Sequence, residues 1–186
     1  MSSYKVLSTQ IFPINEYSIV PIRYKDRMDI LKWRNEQMYH LRQDKPLTEL
    51  DQENYFNNTI NKLFKKEQPN QLLFSYLRGK ECIGYGGLVH INWIDKNAEI
   101  SFVMNTKLEK KHFSLHWDIF LKLIEQVAFN ELNLFKMFTF AFDLRPHLYE
   151  VLENANWFKE AVLKSHFYFN GEFKNIVIHS KFNTYK

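Results

Sequence analysis

Glycine, proline and cysteine are scarce in this chain. Five glycines and five prolines in 186 residues leave little room for the glycine-rich loops that cradle phosphates. The single cysteine, Cys82, excludes an internal disulfide framework and any cysteine-only metal cluster. Followed by apolar Ile83 and strand-type residues, it reads as a small buried hydrophobe rather than a nucleophile. Long apolar runs are missing as well, and a mean hydropathy of −0.42 excludes a helix that spans a membrane. The first residues, Met1-Ser2-Ser3-Tyr4-Lys5, carry no apolar signal segment, so the expected location is the cytoplasm. Nor does one sign of charge dominate. The 25 Lys and Arg residues are interleaved with 21 Asp and Glu, for a net charge of +4, so no nucleic-acid partner is expected.

Aromatic residues, by contrast, are abundant. The chain holds 17 Phe and 10 Tyr, which predicts a Phe-rich core, and its length suits a single domain over residues 1–186. The pattern opens with a strand at Ile19-Val20-Pro21-Ile22, where Pro21 suggests a sheet edge. Asp26 is placed to cap a helix through Ile30, Leu31 and Trp33. After the polar stretch Arg42-Gln43-Asp44-Lys45-Pro46, Thr48 and Asp51 form a capping-box pattern. The helix they open has Phe56, Ile60, Leu63 and Phe64 on one face.

The period then changes. Leu72–Leu77, Cys82–Trp93 and Ala98–Asn105 read as an antiparallel meander separated by turns at 78–80 and 95–97. Ser114 is placed to cap the longest helix, which buries Ile119, Phe120, Leu123, Val127 and Ala128. A strand at Phe135–Phe142 follows and is expected to be buried on both faces. Pro146 opens a short helix, and a hairpin at Ala161–Phe169 and Phe173–Phe182 turns on Asn170-Gly171. The order predicts an α+β fold whose long-helix crossover makes the strands at 98–105 and 135–142 parallel neighbours.

That order resembles the GNAT superfamily of acyl-CoA-dependent N-acetyltransferases over nearly the whole chain. Ala98-Glu99-Ile100-Ser101-Phe102 is similar to the family's central strand, and Val127-Ala128-Phe129-Asn130-Glu131-Leu132 to the close of its long helix. Val151-Leu152-Glu153-Asn154-Ala155-Asn156-Trp157, followed by Lys159-Glu160-Ala161, is similar to its last helix and exit. Trp33-Arg34-Asn35 ahead of a capped helix resembles the branch of amino-sugar and ribosomal-protein-type acetyltransferases. The resemblance implies a mixed, mostly antiparallel twisted sheet of about seven strands with about four helices. It also implies acetyl-CoA as co-substrate and a primary amine of a small molecule as acceptor; a monomer or homodimer is expected. A nucleotide-linked amino sugar is the acceptor that the Trp33-Arg34-Asn35 pattern suggests. A protein or peptide N-terminus is the alternative acceptor, and a degenerate protein that binds without acetylating is the alternative class.

The segment Thr106–His116 departs from the family in having no glycine in its phosphate-binding stretch. A helix N-terminus and the side chains of Lys107, Lys110 and Lys111 would then have to serve a pyrophosphate, with His112, Phe113 and Ser114 alongside. The other reading of the segment is a solvated lysine-bearing loop. Arg145 stands in place of the family's asparagine and offers a planar fork to a phosphate. Glu99 is the first candidate for general base and His90 the second. For Glu99 the structural alternative is a pair with a lysine such as Lys96, and for His90 a simple hydrogen bond within the sheet. The resemblance implies a bulge and strand splay at Phe102, Val103 and Met104, whose freed backbone would polarise the thioester carbonyl. Leu152 occupies the position where many members place the tyrosine acid, and Tyr149, one turn earlier, is the substitute. His112 and His116 stand four apart, but no third ligand follows, so no metal is expected.

Overall fold

Strand-forming residues separated by tight turns shape the middle of the chain, as the two-residue period requires. In a computed structural model that describes residues 2–184, Leu72–Arg78 (β3), Glu81–Asn92 (β4) and Asn97–Met104 (β5) form the expected antiparallel meander. Two strands precede it, β1 (Phe12–Ile14) and β2 (Tyr17–Pro21). Three follow: β6 (Lys136–Phe142), β7 (Phe158–Phe169) and β8 (Glu172–Phe182). All eight join one sheet in the order β1-β2-β3-β4-β5-β6-β8-β7. Among the described residues only β5 and β6 run parallel, through Asn97↔Lys136, Ala98↔Met137 and Glu99↔Phe138.

The helices are α1 (Arg27–Glu36), α2 (Glu49–Tyr55), α3 (Asn61–Leu63), α4 (Thr106–Glu125) and α5 (Pro146–Asn154). A π-helical turn at Phe56–Ile60 joins α2 to α3, so the two act as one rod. The α+β architecture expected from the sequence is present, with β1 as one strand more.

Side chains on a strand alternate between faces. Phe102 of β5 stacks on Phe120 of α4 at 3.9 Å between ring centroids, which places α4 on the face shared by Ala98, Ile100 and Phe102. Glu99, Ser101 and Val103 therefore face the other way, towards α1 and the connector that follows it. Gly86 of β4 is required at the centre, because a Cβ there would meet the Ser101 carbonyl oxygen at 2.2 Å.

Local signals account for the ends of several elements. Thr48 and Asp51 make the reciprocal capping box, with the Asp51 N–H donating to Thr48 Oγ1 at 3.1 Å and the Thr48 N–H to Asp51 Oδ2 at 2.9 Å. Asn170 and Gly171 take φ of 49° and 87°, as the hairpin turn requires, and Asn156 ends α5 at φ 62°.

Four expectations are corrected. Pro21 is not on the edge strand, since β1 lies outside β2; it falls beyond that ladder, which stops at Phe12↔Ile19, and so has a strand neighbour on one side only. Asp26 does not cap α1. Its carboxylate accepts from Arg23 Nε at 2.6 Å and Ser75 Oγ at 2.7 Å, and that buried cluster ties α1 to β3. On β6 the buried residues are Met137 and Thr139, whereas Phe138, Phe140 and Phe142 are half-buried because no helix covers their face there. Finally, α4 starts at Thr106 under the side chain of Asn105, which accepts from the Lys107 N–H at 2.9 Å. Ser114 lies inside the helix, two residues past a break at His112, where φ and ψ are −136° and 31°.

Candidate active site

Parallel pairing between β5 and β6 ends at Glu99↔Phe138, because β5 stays with β4 while β6 continues against β8. A cleft of about 210 Å³ opens where they part. Its walls are Glu99–Phe102 of β5 and Thr139–Phe142 of β6. On the helical face Trp117 of α4, Leu148 of α5 and Arg145 close it. Tyr85 of β4, Arg34 of α1 and His40–Arg42 of the connector close the opposite face.

Asn35 fixes that connector. Its Oδ1 accepts from the Leu47 N–H at 2.9 Å and its Nδ2 donates to the Leu47 carbonyl at 2.8 Å. Arg42 is thereby brought to Glu99, whose carboxylate it pairs with, and its guanidinium lies 5.1 Å from the Phe140 ring centroid. The other carboxylate oxygen of Glu99 is 2.8 Å from His90 Nδ1. His90 reaches it from an irregularity between Val89 and Asn92, where its own φ is 50°. The sequence's two candidates for general base are therefore hydrogen-bonded partners. Glu99 is buried, with 7% of its side chain exposed, whereas His90 is 65% exposed. Lys96 is not the partner of Glu99; Arg42 and His90 are.

On the helical face, Arg145 lies 5.8 Å from the Phe113 ring centroid and 3.3 Å from His40 Nε2. Burial and the charge of Arg145 pull the pKa of His40 down to about 3, so the ring stays neutral. Gln37 donates to the Met104 carbonyl at 2.7 Å and binds the connector to the end of β5. Phe102, Val103 and Met104 pair regularly with β4, and the irregularity of that ladder lies elsewhere, so the expected bulge at these residues is absent. The departure of β6 instead leaves the side of these residues away from β4 without a ladder partner, and there Gln37 takes the Met104 carbonyl.

Residues Lys110, Lys111 and His112 are exposed at the end of the first stretch of α4, and Phe113 and Ser114 follow the break. The segment is thus helical rather than a loop. A helix restarting there presents peptide N–H groups with no partner in their own helix. Phe113 is buried against Trp117 and His147.

Tyr149 does not line the cleft. Its hydroxyl donates to Asp143 Oδ1 at 2.9 Å, its ring stacks on His179 at 5.2 Å, and burial raises its pKa further above the ordinary phenol value. Leu148 takes the place at the wall. His116 meets the Tyr76 hydroxyl at 3.1 Å, and among the described residues no three His, Cys, Asp or Glu side chains gather as metal ligands would. Burial pushes the Cys82 thiol up to about 12.

Tyr85, Trp117 and Thr139 went unnoticed in the sequence, where each is one apolar or strand-type residue among many. Among the rings near the connector, His40 lines the cleft, whereas Trp33 is buried; Trp93 donates to the Pro69 carbonyl at 2.9 Å. Tyr39 lines a neighbouring groove with Phe142, Phe167, Tyr168 and Phe169.

Comparison with known proteins bears on this arrangement. The architecture is similar to that of spermidine N-acetyltransferase from Vibrio cholerae in complex with CoA and spermine. The TM-score is 0.80 at 18% identity, over 92% of this chain and 98% of that one. A dodecameric structure of spermidine N-acetyltransferase from Vibrio cholerae gives a TM-score of 0.75 at 18% identity, over 92% and 96% of the two chains. No curated protein sequence matches. Residues 19–177 match the family described as acetyltransferase (GNAT) domain. The parted parallel strands, the crossover helix and that match lead to one conclusion: the chain belongs to the GNAT family of acetyltransferases.

Proposed function

We propose that the protein moves the acetyl group of acetyl-CoA directly to a primary amine of a small molecule held in the cleft between β5 and β6. The observation that carries this is Glu99, a buried carboxylate at the point where the parallel strands part, hydrogen-bonded to an exposed histidine. Acetyl-CoA supplies a thioester carbonyl open to attack by an amine. The chain's residues fit its needs: Trp117 and Leu148 give an apolar wall, and Arg145, Lys110, Lys111 and the restart of α4 near Phe113 offer positive charge and peptide donors.

Glu99 is positioned to take a proton from the attacking amine, and His90, reaching solvent, to pass it on to water. The peptide edge that β6 leaves at Phe102–Met104 is suited to hold the carbonyl oxygen as charge grows on it; the C–S bond then breaks, and CoA leaves as a thiolate that takes a proton from water. We take the protein to act in the cytoplasm. A nucleotide-linked amino sugar is supported as acceptor by Arg34, which lines the cleft as part of Trp33-Arg34-Asn35, and by the adjoining aromatic groove, a stacking surface for a ring. The glycine-free helical segment at 106–111 favours the second reading, a protein that binds without transfer.

Calorimetry with acetyl-CoA, followed by a free-thiol assay with a panel of amines, separates the two. Transfer predicts micromolar coenzyme binding, about −8 kcal/mol, and thiol release that needs both substrates. Absence of heat at millimolar acetyl-CoA would overturn the proposal.

A further inference from the structure

The charges of the cleft do not balance. Three guanidinium groups line it, those of Arg34, Arg42 and Arg145, against a single carboxylate, Glu99. Arg145 lies on the helical face against Phe113 and reaches across to His40 of the connector at 3.3 Å. Arg34 and Arg42 lie on the other face, with Glu99. Arg42 already holds the one carboxylate. Arg34 is half-buried, and its partners are neutral: Gln43 Oε1 at 3.1 Å and, close by, the Tyr85 hydroxyl. Among the described residues no carboxylate pairs with Arg34.

An amine that reaches Glu99 arrives mostly as an ammonium ion and competes with Arg42 for the same carboxylate. Arg42 can yield, because 48% of its side chain is exposed and it sits on a connector rather than a helix or strand. Once displaced, it faces the cleft beside Arg34, and two like charges then stand in a partly dehydrated space. A purely cationic acceptor adds a third positive charge. An acceptor that carries its own anion exchanges one ion pair for two: ammonium with Glu99, anion with the guanidinium forks.

We propose that the acceptor is an amine bearing a phosphate or carboxylate, held by Arg34 and the displaced Arg42, and that polyamines are excluded. This inference rests on the acetyl-transfer reading of the same cleft. Planar guanidinium forks match both kinds of anion, so the source is settled by comparing acceptors.

The test uses five amines with the full chain and saturating acetyl-CoA. They are glucosamine, glucosamine 6-phosphate, muramic acid, a uridine-diphosphate-linked glucosamine and spermidine. The anionic amines should exceed glucosamine in kcat/KM by about 100-fold, as expected from charge-assisted hydrogen bonds each giving about tenfold or more. Preference for muramic acid over the two phosphate-bearing sugars would identify a carboxylate as the source. Spermidine should rank last. Arg34→Gln should remove most of that preference, read as the ratio of kcat/KM between glucosamine 6-phosphate and glucosamine. Arg34→Lys should keep part of it, because charge survives without the fork. The ratio between acceptors is not moved by a general loss of folding.

The same amines are titrated by calorimetry into protein saturated with CoA. If nothing is acetylated yet anionic amines bind and Arg34→Gln abolishes that binding, the transfer reading fails and the anion site stands. Equal binding of glucosamine and glucosamine 6-phosphate, or preference for spermidine, overturns the inference whether or not transfer occurs.

Discussion

Glu99 is held by two partners that differ in exposure and in reach. Arg42 comes from a connector 57 positions earlier, whereas His90 lies across the ladder only nine positions away. Glu99→Gln keeps the shape and removes the basicity, so turnover should fall about 10²–10⁴-fold with coenzyme affinity by calorimetry unchanged. Tyr149→Phe should behave in the opposite way. It should leave turnover near normal and cost about 1 kcal/mol in denaturant unfolding, since the hydroxyl serves Asp143 and not the cleft. A large loss of turnover in Tyr149→Phe would instead mean that the hydroxyl swings to the cleft during the reaction. His40 makes a separate prediction. Its folded pKa, about 3, lies below the ordinary histidine value near 6.5. Between those values the unfolded chain binds the extra proton, so stability rises with pH through the window and is lost on acidification. His116 and His179, also lowered by burial, act in the same sense. Melting temperatures from about pH 6 to pH 4 should therefore fall, and less steeply in His40→Gln. At this scale the sequence showed the candidates but not the pairs. Glu99 and His90 are visible as polar residues in strands, but Arg42 sits in a connector without period, and only the fold brings it across.

Elements were legible where periodicity and turn chemistry agree. The three strands from Leu72 to Met104, the Asn170-Gly171 hairpin, the Thr48 capping box and Pro146 at the start of α5 each follow from a local rule. β1 was missed because three residues around Pro13 carry no alternation to read. The start of α4 was missed because two caps compete, Asn105 and Ser114. Lysine, leucine and glutamate at 107–111 are good helix formers, and the helix takes them as soon as the strand ends. The break at His112 then divides α4 into an exposed lead and a buried shaft. Lys110 and Lys111 are exposed on the lead, so replacing both with alanine should leave unfolding unchanged. Acetyl-CoA affinity measured by calorimetry should weaken by less than about tenfold per side chain, the range of exposed ion pairs. Unchanged affinity would place the pyrophosphate elsewhere, with Arg145 as the next residue to replace.

Across the whole molecule, the crossover helix that makes β5 and β6 parallel is also what shapes the cleft. The abundance of phenylalanine foretold an aromatic core but not its most consequential contact, the stack of Phe102 on Phe120 at an interplanar angle of 6°. Phe120 is wholly buried, and its ring holds the α4 shaft against the strand that walls the cleft. Phe120→Ala should cost about 3–5 kcal/mol in urea unfolding, a large share of the ~5–15 kcal/mol typical of a domain. The loss should also reach the site, because the cavity lies directly behind Phe102 and loosens that wall of the cleft. Acetyl-CoA at 100 times its dissociation constant should add about 2.7 kcal/mol to the stability of the original protein. In Phe120→Ala the same coenzyme concentration should add less, since the folded state binds it more weakly. Stabilisation of equal size in both proteins would show that Phe120 supports the fold alone, with the cleft kept in shape by β4 and the Gly86 contact instead.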